Sequence, residues 1–380
     1  MTLAEVQAMI IDRTKHNIEQ AGHLFPHVGD FGAYELIDNN DWTNGFWTGI
    51  IWHCYEATGD DYFLDYAKQG TQSFSNRMQN NAVLDHHDLG FLFSLSAKAD
   101  FIVTKDEKAR LLAVQAADRL LTRWRKHGGY IQAWGREGDE VEGGRMIIDC
   151  LLNLPLLFWA SETTGNHLYA EIAKKQADQT LRYLVRGDGS SYHTFLFDPH
   201  TAEPIGGATH QGYSNGSTWA RGQAWGVYGF ALLYRFTGEE KYLQTAEWML
   251  NYYMAHQPTD QLIPWDFNVP HEDAKYYDSS AMAIVLCGML ELKKWIEEDR
   301  KESLNNEIDK LLNILISRAL IPKNKNSAVT GILGHGSYHV RGGKVPDGSV
   351  IWGDYFFVEA IMRMTGNVDG YWFMRSELFE

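Results

Sequence analysis

Apolar positions along this 380-residue chain recur at three- and four-residue spacing far more often than they alternate, so the pattern predicts helices almost throughout. Candidate helices fall at about 2–21, 43–58, 61–79, 88–103, 106–125, 147–163, 167–185, 219–236, 240–256, 279–297, 303–319 and 352–364. That is about twelve helices, or six hairpins if the first pairs with the last. A short phrase marks the turns: an apolar run, Thr-Gly, a polar residue, then a second helical run. It stands at Thr58-Gly59-Asp60, Thr164-Gly165-Asn166, Thr237-Gly238-Glu239 and Thr365-Gly366-Asn367, with Thr104-Lys105-Asp106 as a degenerate copy. The glycine is expected to end one helix in a left-handed conformation, and the following Asp, Asn or Glu to begin the next.

The first helix of each hairpin is the more apolar, which places it in an inner layer with its more charged partner outside. The expectation is therefore an all-α chain, one domain over 1–380, built as a ring of paired helices. A closed ring gathers the long loops at 23–42, 128–146, 186–218, 257–278 and 321–351 on one rim, and loops beyond about 12 to 15 residues in a compact domain are usually functional.

Polar residues interrupt the inner helices at their amino-terminal ends: Asp41-Trp42-Thr43-Asn44, His86-His87-Asp88, Asp149, Trp219 with Arg221 and Gln223, Asp278-Ser279-Ser280 and Trp352-Gly353-Asp354. Asp, Asn and Ser are also common helix caps, but six such openings around one mouth argue for a site. Asp149 is the sharpest. It lies between Ile148 and the run Leu151, Leu152, Leu154, Pro155, Leu156, Leu157, where desolvation favours a protonated carboxyl suited to acid–base work. Asp88 reads equally as a cap or a functional group.

Composition narrows the chemistry. With 34 basic against 49 acidic residues the net charge is −15, which repels phosphate backbones and anionic membranes and leaves nucleic acid and membrane as unlikely partners. The 13 Trp, 19 Tyr and 18 Phe provide flat faces suited to sugar rings, or simply core. Cys54, Cys150 and Cys287 are too scattered for a disulfide framework or a metal site, and the amino terminus carries no signal pattern. A cytoplasmic location follows as the expectation. His86, His87, His193, His210, His335 and His339 lack the spacing that puts two imidazoles on one helical face, and no phosphate-cradling loop or dinucleotide fingerprint is present. No metal, nucleotide cofactor or nucleophile elbow is expected. Paired carboxylates with aromatic and basic helpers remain, the equipment of sugar chemistry. In a helix over 219–236, Arg221 and Trp225 share a face, and Arg221 is placed to grip a substrate carboxylate in bidentate fashion.

Six blocks, Asp41-Trp42-Thr43-Asn44-Gly45-Phe46-Trp47, His86-His87-Asp88-Leu89-Gly90-Phe91, Ile131-Gln132-Ala133-Trp134, Ile147 through Leu156, Thr218 through Trp225, and Ile351-Trp352-Gly353-Asp354-Tyr355, resemble the unsaturated glucuronyl hydrolases of glycoside hydrolase family 88 in order along the chain. The resemblance implies an (α/α)6 barrel without cofactor, and release of 4-deoxy-4,5-unsaturated glucuronic acid from the non-reducing end of lyase-generated di- or oligosaccharides by hydration of the C4–C5 vinyl ether. It implies Asp149 as general acid and base and Asp88 as the second essential carboxylate. Trp42, His87, Trp134, His193, Gln211, Trp219, Arg221, Trp225 and Tyr338 match the family's substrate-binding positions. Family members acting on sulfated disaccharides resemble Ser-x-x-Ser-x-Lys near Tyr338, where this chain reads His339-Val340-Arg341-Gly342-Gly343-Lys344. Lys344 is retained and both hydroxyls are gone, so a weaker preference for sulfated substrates is expected. An unsaturated rhamnogalacturonyl hydrolase, a sugar 2-epimerase and a non-catalytic sugar-binding protein are the alternatives. The leaving sugar and the oligomeric state are not legible at this level.

Overall fold

The computed structural model describes residues 1–30, 33–270, 274–322, 328–366 and 370–373. Among these the helices are α1 (Leu3–Ala21), α2 (Asn44–Thr58), α3 (Asp61–Gln79), α4 (89–104), α5 (Glu107–Leu121), α6 (Leu154–Thr164), α7 (Leu168–Leu184), α8 (Ala220–Thr237), α9 (Glu240–His256), α10 (Ser279–Leu292), α11 (Glu298–Ile314) and α12 (Ile351–Met364). The even-numbered helices touch in sequence and close on themselves, α12 against α2, while the odd-numbered ones pack outside, α1 on α12. The architecture is an (α/α)6 barrel of six hairpins.

The two layers follow from sequence. Every residue of α8 from Ala220 to Leu233 is buried, as is nearly all of α10, and a helix apolar on every side needs neighbours on every side. Outer α3 instead buries a stripe, Phe63, Ala67, Thr71 and Phe74. At the turns, Gly59, Gly165 and Gly238 adopt φ of 66°, 73° and 65°, and Lys105 takes the same left-handed conformation in the degenerate copy. The threonine has a task of its own. In Thr58, Thr104, Thr164 and Thr237 the hydroxyl donates to the carbonyl four residues back and accepts the N–H two residues on, stitching the outgoing helix to the turn. In the last copy, Asn367 lies outside the described residues, as do parts of the loops at 23–42, 257–278 and 321–351.

Several boundaries differ from the periodicity. α4 is interrupted by a π-turn at Ser94–Lys98. α5 stops at Leu121, and Trp124–Arg125 pairs as a short strand with Tyr130–Ile131. α10 ends earlier and α11 begins earlier than apolar spacing indicates. A 3-10 turn at Ile148–Leu152 precedes α6. The rim loops also build a three-stranded antiparallel sheet, β1 (Arg145–Ile147), β2 (Thr194–Phe197) and β3 (Pro204–Ala208), in which β2 and β3 form a hairpin and β1 joins from a segment too distant for local pattern to reveal. Among the described residues no helix is long and apolar enough to cross a membrane.

The end of the barrel away from these loops is closed by buried charge. Glu359 accepts from Arg363, from the Tyr228 hydroxyl and from the Trp372 indole, and Arg363 also reaches Glu291 at 2.9 Å. Removing one partner of such a set leaves uncompensated buried charge. Glu359→Ala is expected to destabilise the fold by about 3–5 kcal/mol in denaturant titrations, and Glu359→Gln, which keeps an acceptor, by clearly less.

Candidate active site

At the loop-bearing mouth a cleft of about 810 Å³, counted out to its opening, is lined by Trp42, Asp88, Trp134, Asp149, His210, Gln211, Trp219, Arg221, Trp225, Tyr338, His339 and Lys344. Ten of these are among the twelve residues expected from sequence. The other two expected residues, His87 and His193, are 0 % and 2 % exposed and stand behind the wall.

The two carboxylates are brought together by close helix packing. A Cβ on Gly90 would lie 2.3 Å from the Cα of Asn153, so only glycine lets the start of α4 approach the turn before α6. Asn153 bridges them, accepting the Phe91 N–H at 2.8 Å and donating to the Asp149 carbonyl at 3.3 Å. Neither carboxylate serves as a cap: Asp88 precedes α4 without a side-chain capping bond, and Asp149 lies inside the 3-10 turn. By contrast Asp41 binds Thr43, Asp278 caps Ser280, and Asp354 accepts the N–H groups of Ile332 and Leu333.

The surroundings push the pair apart in proton affinity. Burial first, and then the charge of Asp88, raise Asp149 well above the ordinary carboxyl range, with Arg221 pulling the other way. Its Oδ1 is buried without a hydrogen-bond partner. Burial works against ionised Asp88 too, but His87, His86 and Asn153 outweigh it and hold that carboxyl below the ordinary range. His86 Nδ1 lies 3.3 Å from Asp88 Oδ2. Burial draws His87 down to about 4. Its Nε2 lies 3.3 Å from Asp149 and 3.5 Å from Asp88, without the alignment of a hydrogen bond. Possible ligand atoms of these three residues fall within 4.8 Å of one another, but a carboxyl that favours its proton suits acid–base work better than cation binding.

His193 accepts the N–H groups of His210 and Gln211 at Nδ1, at 3.1 and 3.3 Å, which leaves its proton on Nε2. Burial keeps it neutral, and its ring lies 4.3 Å from that of Trp219. The tryptophans differ in what they offer. Trp42 and Trp134 are half-buried, whereas Trp225 is 1 % exposed and packs on Phe91 and Phe356, so it is mostly core with one edge at the cleft. Lys344 sits 4.5 Å over the Tyr338 ring.

The expectation of Arg221 as a free bidentate clamp needs correction. Its Nη1 donates to Asp278 and to the Ser337 carbonyl, and its Nη2 to the Tyr338 carbonyl at 2.9 Å. Its guanidinium is therefore largely committed to the protein. A Gly-x-Ser-x-Gly pattern is also present after all, at Gly212-Tyr213-Ser214-Asn215-Gly216. Ser214 lies exposed on a bend, its N–H bonded to Ser217 Oγ, not at the strand-to-helix turn that makes a serine nucleophilic. His210 and His339, tilted against each other with ring centroids 4.9 Å apart on the cleft wall, are legible in the sequence only as scattered loop histidines.

A carboxyl with raised proton affinity beside an ionised partner in an aromatic cleft fits acid–base chemistry on a sugar, and comparison with known proteins decides the family. The sequence profile of Glycosyl Hydrolase Family 88 matches residues 18–347. The chain belongs to glycoside hydrolase family 88. Within the family it is 50 % identical to the unsaturated glucuronyl hydrolase of Bacillus sp. (strain GL1), over 96 % of this chain and 97 % of that one. It is 39 % identical to the unsaturated chondroitin disaccharide hydrolase of Streptococcus agalactiae serotype III (strain NEM316), over 98 % and 94 %. The crystal structure of the unsaturated glucuronyl hydrolase of Bacillus sp. GL1, responsible for glycosaminoglycan degradation, superimposes with a TM-score of 0.95 at 47 % identity, covering 99 % of this chain and 100 % of that one. The crystal structure of a mutant unsaturated glucuronyl hydrolase from Streptococcus agalactiae complexed with dGlcA-GalNAc6S superimposes with a TM-score of 0.85 at 36 % identity, covering 97 % of this chain and 93 % of that one.

Proposed function

We propose that this chain is an unsaturated glucuronyl hydrolase, releasing 4,5-unsaturated glucuronic acid from the non-reducing end of lyase-generated oligosaccharides by hydrating the C4–C5 vinyl ether. The observation that carries the reading is the Asp149 carboxyl, its proton affinity raised and Oδ1 unpartnered, beside Asp88 in the cleft. Asp149 gives its proton to C4, and the ring oxygen shares the positive charge left at C5. The Asp149 carboxylate then takes a proton from water as its oxygen bonds to C5, which returns the acid to its starting state. The hemiketal opens to a C5 ketone, and the hemiacetal exposed at C1 expels the leaving saccharide. One water is consumed.

Asp88 stays ionised, stabilises the cationic transition state and discourages early loss of the Asp149 proton. Trp42, Trp134, Trp219, Trp225 and Tyr338 provide faces and edges against the ring, while Gln211 and Lys344 turn polar groups to its substituents and Arg221, bonded to Asp278 and the Tyr338 carbonyl, shapes the wall beside them. His87 and His193 act from behind the wall, His87 against the carboxylates and His193 through its Nε2–H. We further infer one catalytic domain over 1–380, supported by the packing of α1 on α12, and a cytoplasmic location, supported by three free, buried cysteines.

Incubation with a lyase-generated disaccharide is expected to abolish the ultraviolet absorbance of the conjugated uronate; a folded protein that leaves it unchanged across glycosaminoglycan- and pectin-derived substrates contradicts the reading. With His339 and Gly342 where sulfate-preferring members have serines, kcat/KM is expected to favour unsulfated over 6-sulfated chondroitin disaccharide. Equal values would count against that specificity.

A further inference from the structure

Arg221 is held by a partner that sequence spacing alone does not connect to it. Asp278, 0 % exposed, precedes α10 and accepts from Arg221 Nη1 through Oδ2. Its Oδ1 accepts the Ser280 N–H at 3.1 Å and the Ser280 hydroxyl. That hydroxyl also accepts the Trp352 indole N–H at 3.0 Å. The Arg221 guanidinium lies between two indoles, 4.3 Å over Trp219 and 5.0 Å over Trp352. The Tyr338 carbonyl, fixed by Arg221, is also held by Gln211 Nε2 at 2.8 Å. One buried carboxylate thus orients the arginine that ties α8 to the loop carrying Tyr338.

The charge matters as much as the orientation. Arg221 lines the same cleft as Asp149, and an uncompensated guanidinium there would stabilise the Asp149 carboxylate and strip the acid of its proton. We propose that Asp278 is a positioning residue for the reaction: it pins Arg221 and neutralises it, so that Arg221 shapes the cleft wall without disarming Asp149. The inference rests on the reading of Asp149 as the general acid.

Other titratable and charged groups share the field. Asp149 faces Asp88 and His87 from the start of α4, and Cys150 from its own turn. His193 lies close by, its carbonyl accepting the Ile148 N–H, and His210, His339 and Arg145 act on that imidazole. Arg123 acts on His87 and Cys150. Asp278 faces Arg221 and, from α9, Tyr253.

Asp278→Asn keeps the shape and deletes the charge. The high-pH limb of kcat, where Asp149 loses its proton, is expected to move down by about one pH unit, the scale of a nearby charge acting in a partly desolvated site. KM for the disaccharide is expected not to rise. Loss of activity with an unmoved limb would reduce Asp278 to a structural role and overturn the proposal. Should Asp278→Asn not fold, the double variant with Arg221→Gln removes both charges and is expected to keep its limb within a few tenths of a pH unit of wild type; displacement by a full unit in either direction overturns the proposal. Infrared titration of the protonated carboxyl band, assigned by its disappearance in Asp149→Asn, reads the same shift without turnover. If Asp149→Asn retains turnover, the functional reading fails; if it is inactive and the band titrates identically in wild type and Asp278→Asn, this inference alone fails.

Discussion

Asp149→Asn is expected to lower turnover of an unsaturated disaccharide by about 10³- to 10⁴-fold, the upper range for removal of a positioned acid–base group, with KM changed little because the amide fills the same space. Steady-state kinetics by absorbance check this directly; a loss below tenfold would move the proton-donating role elsewhere. The same substitution is expected to raise the melting temperature at neutral pH. Folding raises the proton affinity of Asp149, so this carboxyl favours the fold most below the unfolded value of about 3.9 and burdens it increasingly as pH rises through the folded value. An amide carries no such burden. Loss of activity together with a gain in stability is the signature of a group held against its own solvation.

The second large effect is expected at Asp88. Asp88→Asn removes the negative charge that, after burial, does most to keep the proton on Asp149. Turnover is expected to fall by about 100-fold, within the range for losing electrostatic stabilisation of a developing charge. The pH profile carries the sign. In the wild type kcat should rise as Asp88 ionises and fall as Asp149 loses its proton. In Asp88→Asn the acid limb should disappear and the basic limb move to lower pH. A basic limb that stays in place would show that the two carboxylates do not interact.

Local features of the fold were readable from sequence and distant ones were not. The Thr-Gly turns were visible because cap, left-handed residue and restart lie within three positions, and the structure adds the threonine hydroxyl as the stitch between them. The inner and outer layers followed from apolar residues on all sides of α8 and α10. The π-turn in α4 and the hairpin of Trp124–Arg125 with Tyr130–Ile131 are local but do not register in helical periodicity, and the pairing of β1 with β2 joins segments nearly fifty positions apart.

The site divides in the same way. Asp149 stands out because a carboxylate in a largely apolar run must have a reason, and ten of the twelve expected residues line one mouth, with His87 and His193 behind its wall. Spacing could not show that Arg221 is bonded to Asp278, 57 positions away, or that Trp225 gives most of its ring to Phe91 and Phe356. Nor does an aspartate before a helix announce whether it caps. Asp278 does and Asp88 does not, and only the helix-end geometry distinguishes them.

The most direct test follows a lyase-generated disaccharide in deuterium oxide, recording vinyl absorbance and free leaving saccharide together and locating deuterium in the released acid by NMR. Hydration driven by Asp149 predicts that absorbance falls no later than the saccharide appears, that deuterium enters at C4, and that both signals vanish in Asp149→Asn. Release of the saccharide ahead of the absorbance change would mean direct displacement at the anomeric carbon and would contradict the account.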